Sequence, residues 1–257
     1  YERVKGWWGE NLLVNKGRYN FDRIRYSYFK DGEIGFQAFK AGAYNFRAEN
    51  VIKNWVKGYT FPAFKEGRVK KIETPQRSSG VMQGLVLNTR RPLFKDVRVR
   101  RAFVLAFDFE WLNQKLFYGQ YKRCYSYYSG SELAADPLPS AREIEILKPY
   151  ADKLPPDILT KPLVMPKTKG DGRDRINLRE ADRLLKEAGY MVVNGKRINP
   201  QTKAPVVFEI LISDSQLIRT LGDYIDNLSN LGIEAKVKLV EPAQYFSRTQ
   251  DFDFDTT

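Results

Sequence analysis

The side chains that could do chemistry in this chain are carboxylates, lysines and arginines. Histidine is absent and cysteine occurs once, at Cys124. Without histidine, the usual zinc ligand sets and any histidine-based triad are excluded. A single cysteine excludes an internal disulfide. Cys124, set in the aromatic run Tyr121-Lys-Arg-Cys-Tyr, reads as a small hydrophobe, because no histidine exists to generate its thiolate. A hydrolase or transferase would have to work with carboxylates or lysine alone. Asp251, Asp253 and Asp255 are close enough in sequence to be considered. Alternate residues of a strand share one face, and like charges aligned there usually mark solvent exposure. Arg47 and Glu49 offer recognition chemistry instead. Arg47 could hold a carboxylate bidentately and Glu49 could take an amine. The competing reading is an ion pair between the two.

Elements must position these groups. Phe21 to Phe29 largely alternates apolar and polar residues and predicts a half-buried strand. Ile34, Phe36, Ala38 and Phe39 predict a short helix ended by Gly42 as its C′ residue. Ala43 to Arg47 reads as a second strand. Val51, Ile52, Trp55 and Val56 read as another short helix, closed by Gly58. Val69 to Glu73 reads as a further strand. The turn-rich stretch Gln76-Arg-Ser-Ser-Gly80 predicts a boundary, giving segments 1–78 and 79–257. Val81 to Asn88 is an apolar strand interrupted by Gly84. Val97, Val99, Ala102, Phe103, Ala106 and Phe107 then recur near helical period, and Asp108 can cap a following helix that carries Trp111, Leu112 and Leu116.

Prolines punctuate residues 122–176, which read as a long surface loop with one helix around Ala141 to Ala151. Asn177-Leu-Arg-Glu180 resembles a capping box. It opens a helix with Leu178, Ala181, Leu184, Leu185 and Ala188 on one face and Gly189 at its end. Asn194-Gly195 is a hairpin turn signal. Pro205 to Ser213 reads as a buried strand, Leu217 to Leu231 as a helix ended by Gly232, Ile233 to Val240 as a strand, and Pro242 to Thr249 as a last helix. Strand, helix and strand in succession predict a βαβ unit and a parallel or mixed sheet covered by helices.

Composition bounds the possibilities. With 257 residues, 42% hydrophobic and 14% aromatic, the chain can bury a core, which argues against global disorder. No apolar run is long enough to span a bilayer. The net charge is +12. Residues 1–100 hold 21 Lys and Arg against 9 Asp and Glu, and the remainder holds 22 of each. Such a field could draw an acidic peptide, a phosphate-bearing solute, nucleic acid or a membrane surface. The charges are scattered rather than run together, which favours a basic protein with no charge-specific role. A basic nucleic-acid-binding module lacks a recognised motif, and the aromatics follow core periodicity. The chain opens on Tyr1 without methionine and closes on what reads as a strand start, so an internal piece of a longer protein is expected.

Several segments, in order, resemble the oligopeptide-binding proteins of ABC importers, solute-binding protein family 5. They are Trp8-Gly9 followed by Asn20-Phe-Asp-Arg-Ile24, then Phe39-Lys-Ala-Gly42-Ala-Tyr-Asn-Phe46, then Gly84-Leu-Val-Leu-Asn88-Thr-Arg-Arg-Pro92. Phe94-Lys-Asp96-Val-Arg98-Val-Arg100 follows, with Ala102 and Ala106-Phe-Asp108, then Asn177-Leu-Arg-Glu-Ala181-Asp-Arg-Leu-Leu185-Lys-Glu-Ala-Gly189-Tyr190. Leu231-Gly-Ile233 and Asp251-Phe-Asp253 complete the order. Phe46 to Trp55, Asn88 to Pro92, Phe117-Tyr-Gly-Gln-Tyr121 and Ser131-Glu-Leu-Ala-Ala135 are similar to the YejA-like branch. Ala43 and Asn45 depart from acidic positions of the family.

The resemblance implies an α/β, two-lobed periplasmic-binding-protein type II fold, present in part. Residues 1–78 would be part of the first lobe and 79–257 most of the second. It implies a periplasmic monomer that encloses an oligopeptide between lobes and hands it to the ABC permease in the inner membrane, with no covalent chemistry, cofactor, metal or nucleic acid. A non-peptide solute in the same fold is the alternative. Candidate ligand contacts are Arg47, Glu49, Asn50, Trp55, Met82, Gln83, Asn88, Tyr127 and Tyr128. Extended peptides are gripped through backbone hydrogen bonds and aromatic-lined pockets, and these residues follow strands expected to point into the cleft. Met82 is more often core than contact, and Tyr125, Tyr127 and Tyr128 more often pack than bind.

Overall fold

A computed structural model describes residues 1–29, 31–74, 82–155 and 157–257. Two units divide the chain, Tyr1–Lys71 and Ile72–Thr257. The turn-rich stretch 76–80, where the sequence suggests a boundary, lies outside the described residues.

In the first unit, α1 (Gly32–Lys40) starts where Asp31 accepts the backbone N–H groups of Glu33 and Ile34, at 2.7 and 3.2 Å. It ends at Gly42, whose φ of +77° suits a residue without a Cβ. Phe36 and Phe39 are its buried side chains, and Tyr44, Tyr59, Phe61 and Phe64 complete an aromatic pile with rings 5.4–6.4 Å apart. The expected helix around Trp55 is a π-helical turn, Asn54–Gly58, followed by α2 (Pro62–Lys65) with proline in its first turn. The three expected strands do not form among the described residues. Around Phe21 to Phe29 there is one isolated bridge, Glu2 to Arg23, and Phe21, Ile24, Tyr26 and Tyr28 are exposed. Ala43 to Arg47 and Val69 to Glu73 are likewise irregular. An alternating pattern makes a strand only when a neighbour takes its backbone hydrogen bonds, and among the described residues of this unit that pairing stops at the bonds Arg3 N to Asp22 O and Ile24 N to Tyr1 O.

The second unit is built on facing helices over a sheet. α3 (Val97–Leu105) is capped by Asp96, which accepts from Arg98 N at 2.8 Å, and α4 (Phe109–Lys115) by Asp108, which accepts from Trp111 N at 3.0 Å. The proline-punctuated region holds α5 (Ala141–Leu147), opened by a capping box between Ser140 and Glu143. α6 (Arg175–Glu187) packs its Ala181, Leu184 and Leu185 face against α3. Its cap is Asp174 rather than the expected Asn177, because Asp174 Oδ1 accepts Asn177 N at 2.8 Å. Glu180 pairs instead with Arg183.

β1 (Met191–Val193) and β2 (Lys196–Ile198) form the expected hairpin, with Asn194 and Gly195 both at positive φ. β3 (Val207–Ile212), α7 (Gln216–Asn230) and β4 (Glu234–Leu239) make the βαβ unit, paired in parallel from Val207 opposite Glu234 to Ile212 opposite Leu239. α8 (Pro242–Gln250) follows. Residues 255–257 then insert beside β3. Leu211 N donates to Thr256 O at 2.8 Å, while Val86 N donates to Thr257 O at 2.8 Å and Asn88 N to Asp255 O at 2.9 Å. The sheet is therefore mixed, with the chain end between β3 and residues 86–88.

One face of β3, through Phe208, Ile210 and Ile212, joins Phe94, Val99, Phe103, Leu185, Leu221 and Leu228 in the main core. The other face turns Leu211 to Val240 and Phe254. Burying each large side chain of this kind stabilises by about 1.5–3 kcal/mol.

Candidate functional site

Arg47, Glu49 and Tyr44 form a built cluster in the first unit. Arg47 donates through Nε to Glu49 Oε2 at 2.9 Å, through Nη2 to Glu49 Oε1 at 3.3 Å and through Nη1 to the Tyr44 hydroxyl at 3.0 Å. Tyr44 in turn donates to Gly35 O at 2.7 Å, and Val51 N donates to Glu49 Oε1 at 3.0 Å. The bond to Glu49 is the main reason the guanidinium is held still more firmly charged than usual. The Glu49 side chain is 1% exposed and that of Arg47 14%, so the carboxylate is sealed behind its own arginine. Both groups are ion-paired to each other, and Asn50 beside them is exposed. The arginine lies 5.3 Å from the Phe36 ring centroid. The guanidinium is thus held by Glu49 and the Tyr44 hydroxyl and lies near the Phe36 ring.

Trp55 is half-buried. Its carbonyl accepts Lys71 Nζ at 2.5 Å, and the same ammonium sits 4.3 Å from the indole centroid and 5.5 Å from that of Tyr59. Burial, followed by the Glu49 charge, pushes the Tyr59 hydroxyl pKa up. Lys71 carries no sequence signal of its own, since no spacing rule links it to residue 55.

In the second unit Met82 and Gln83 are exposed, and Asn88 is buried. The Asn88 amide is committed inside the protein. Nδ2 donates to Phe252 O at 2.9 Å and Phe254 O at 2.8 Å, and Oδ1 accepts Arg90 N at 3.0 Å. Around this clamp Arg91 meets Asp253 at 2.9 Å and Asp255 at 3.4 Å, and Arg248 bridges Asp253 at 3.1 Å and Glu209 at 2.8 Å. Asp253 and Asp255 are thus tied to the arginines that seat the chain end. Sequence reading missed Arg91 and Arg248, although Asn88-Thr-Arg-Arg lay within a motif it used.

Tyr127 and Tyr128 are exposed at 80% and 51%, so they stand in solvent rather than pack. Their turn closes on itself: Ser129 Oγ donates to Ser126 O at 2.8 Å, and Ser126 Oγ accepts from Tyr128 N and Ala135 N. Among the described residues no group of three or more His, Cys, Asp or Glu could hold a metal ion, and no helix is long and apolar enough to cross a membrane.

Comparison with known proteins places these features. The family model described as bacterial extracellular solute-binding proteins, family 5 Middle, matches residues 1–257. A protein of Agrobacterium fabrum named probable peptide-binding protein YejA is 45% identical over 259 residues, covering 100% of this chain and 42% of the relative. The uncharacterized protein YejA of Escherichia coli is 42% identical over 255 residues, covering 99% and 42%. NikA from Brucella suis, solved in complex with Fe(III)-EDTA, superposes with a TM-score of 0.63 at 21% identity, covering 93% of this chain and 41% of NikA. The likeness to NikA gives the fold, the type II periplasmic-binding class, and the chain spans about two fifths of the relatives' length. A match over every residue, with this identity to two YejA proteins, means that the chain belongs to the bacterial extracellular solute-binding proteins of family 5.

Proposed function

We propose that the protein containing this chain is the extracytoplasmic solute-binding component of an ABC importer, and that it captures oligopeptides between two lobes for delivery to the membrane permease. The carrying observation is the family match over residues 1–257, joined to the peptide-binding name of the 45%-identical relative. Closure around the solute works by differential affinity: the ligand shifts an open–closed equilibrium only as far as it binds the closed form better.

The site geometry narrows the contact roles. Arg47, braced by Glu49 and Tyr44, is the group we assign to a peptide carboxylate. Its guanidinium is pre-oriented, so less side-chain entropy is lost on binding. Glu49 acts through Arg47 rather than by meeting an amine. Asn50, Trp55, Met82 and Gln83 supply further contacts, and the exposed Tyr127 and Tyr128 an aromatic surface. Asn88 serves by fixing the end of the segment that carries Met82 and Gln83, which is not the strand the sequence suggests but pairs through an isolated bridge at Leu87.

The test is native mass spectrometry of the full-length parent, purified without refolding, with bound molecules released by acid and sequenced. Peptides in the released fraction support the reading; a clean unliganded mass moves it to a non-peptide solute. NikA with its metal chelate favours that second reading, because the same fold encloses a non-peptide there. Arg47→Ala should weaken peptide binding at least tenfold by calorimetry on folded protein, with Arg47→Lys intermediate because it still neutralises Glu49. Unchanged affinity in both variants would remove Arg47 from the site.

A further inference from the structure

Residues 166–172 of the second unit form a strap between α4 and α7 that none of the foregoing roles uses. At one end Pro166 O accepts Arg123 Nη1 at 2.7 Å. In the middle Thr168 N donates to Glu110 Oε2 at 3.2 Å, and its hydroxyl reaches both Glu110 and Asp108. At the far end Gly172 N donates to Asp108 Oδ2 at 3.0 Å, while Asn227 Nδ2 from α7 donates to Gly172 O at 3.2 Å and to Ala106 O at 3.1 Å. Asp108 is 4% exposed, so the strap hangs on a nearly dry carboxylate.

Gly172 has φ +86°, and a Cβ there would stand 2.9 Å from Trp111 Nε1 and 3.0 Å from Asp223 Oδ1. The strap therefore passes through a slot with the indole on one side and the Asp223 carboxylate on the other. Asp223 lies on α7. The charges acting on it are Asp108 at the α4 cap, Asp226 on its own helix and Asp171 on the strap, all of one sign. Arg123 acts on Asp108 and Glu110. Asn227 Nδ2 also donates to Asp223 Oδ2, at 3.4 Å, a long bond shared with the Gly172 and Ala106 carbonyls, so when Asp223 is ionised the like charges from α4, α7 and the strap crowd the anchor with little to offset them.

We propose that the strap is a proton-tightened latch: uptake of one solvent proton by Asp223 relieves the repulsion around Gly172 and clamps residues 166–172 onto α4 and α7. Burial first, then the Asp108 charge, pushes the Asp223 carboxyl up to about 6. With the strap released, that carboxyl returns toward the ordinary 3.8. The closed latch holds its proton better, so closure is favoured at low pH and loses that support as pH rises from about 4 to about 6. The strap ends the proline-punctuated segment that carries Tyr127 and Tyr128, so its closure sets how firmly that segment is moored. The inference rests on this geometry and not on the class of solute.

Hydrogen exchange of the Thr168 and Gly172 amides in the full-length parent protein, corrected for intrinsic rate, tests it at pH 5 and pH 7. The strap should open roughly three- to tenfold less often at pH 5 in the wild type. Asp223→Asn should hold the pH 5 level at both values. Equal protection of the wild-type strap at the two pH values would overturn the latch, as would an unchanged pH dependence in Asp223→Asn. So would an equal pH response of the β3–β4 amides, which would make the effect one of global stability. Carbon-13 titration of the Asp223 carboxyl in the wild type reads the proton without any variant; a midpoint near 4 overturns the proposal as well.

Discussion

The second unit pairs its strands into ladders, whereas among the described residues of the first unit the extended segments pair only at the single bridge of Glu2 with Arg23. In the second unit the α7 crossover brings β4 beside β3, and the chain end adds residues 255–257 between β3 and residues 86–88. Aliphatic and aromatic side chains from both helices and strands then share one core. In the first unit the buried aliphatic component is replaced by rings covered with cations: Lys40 and Arg47 over Phe36, and Lys71 over Trp55 and Tyr59. Cation–π contacts and edge-to-face rings contribute about 0.5–1.5 kcal/mol each, less than full burial of a core side chain. The difference teaches that the two units of this chain are stabilised in different ways, one by a shared aliphatic core and the other by rings edged with cations. A dry ladder resists deformation, while an aromatic cluster edged by cations keeps charged groups within reach of solvent, where the proposed solute contacts would lie.

Five substitutions press on that contrast. The two arginines should differ most. Arg197 is 1% exposed and donates to Leu231 O, Tyr190 O and Asp182 Oδ1, joining β2 to α6 and to the end of α7. Arg197→Ala strands two carbonyls inside the core and leaves Asp182 with Lys186 alone, and should cost about 3–5 kcal/mol in urea unfolding of the full-length protein, more than Arg47→Ala, where water can reach Glu49 once its arginine cover is gone. Equal costs would mean that the first unit is as tightly sealed as the second. Next, Phe208→Ala, in a core of Phe94 and Phe103, should cost about 3–4 kcal/mol, against about 2 kcal/mol for Phe39→Ala. A larger loss at Phe39, read from the same denaturation midpoints, would break the comparison. The smallest effect should be a gain. Thr256 is fully buried with its hydroxyl unpartnered among the described residues, so Thr256→Val should raise stability by about 1 kcal/mol. A loss on calorimetric melting would show that the hydroxyl, and not only the backbone ladder, holds the chain end.

Legibility followed the same divide. The helices of the second unit, the Asn194-Gly195 hairpin, the βαβ unit and the cap at Asp108 could be read from local pattern, because each is decided by side chains within a few residues. The α6 cap lies three residues earlier than the sequence suggests because Asp174 takes the N–H of Asn177 and so starts the helix at Arg175, placing Asn177 inside its first turn. Of the recognition residues, sequence could name Arg47 and Glu49 as partners but could not decide between an ion pair and a ligand site. Asn88 shows the limit plainly: its amide is used by carbonyls 164 and 166 residues away.

By itself, the sequence determined the absence of histidine chemistry, the helical and βαβ periodicities, and the ordered motifs that carry the family likeness. These are properties of residue type and short spacing. Only the tertiary structure decided that Phe21 to Phe29 pairs through a single bridge, that residues 255–257 add to the sheet beside β3, that Arg47 seals Glu49, and that Asp108 and Asp223 both lie against Gly172. Strand pairing and burial of charge depend on which distant segments arrive side by side. That outcome is set by the packing of the whole unit and leaves no mark in the local pattern.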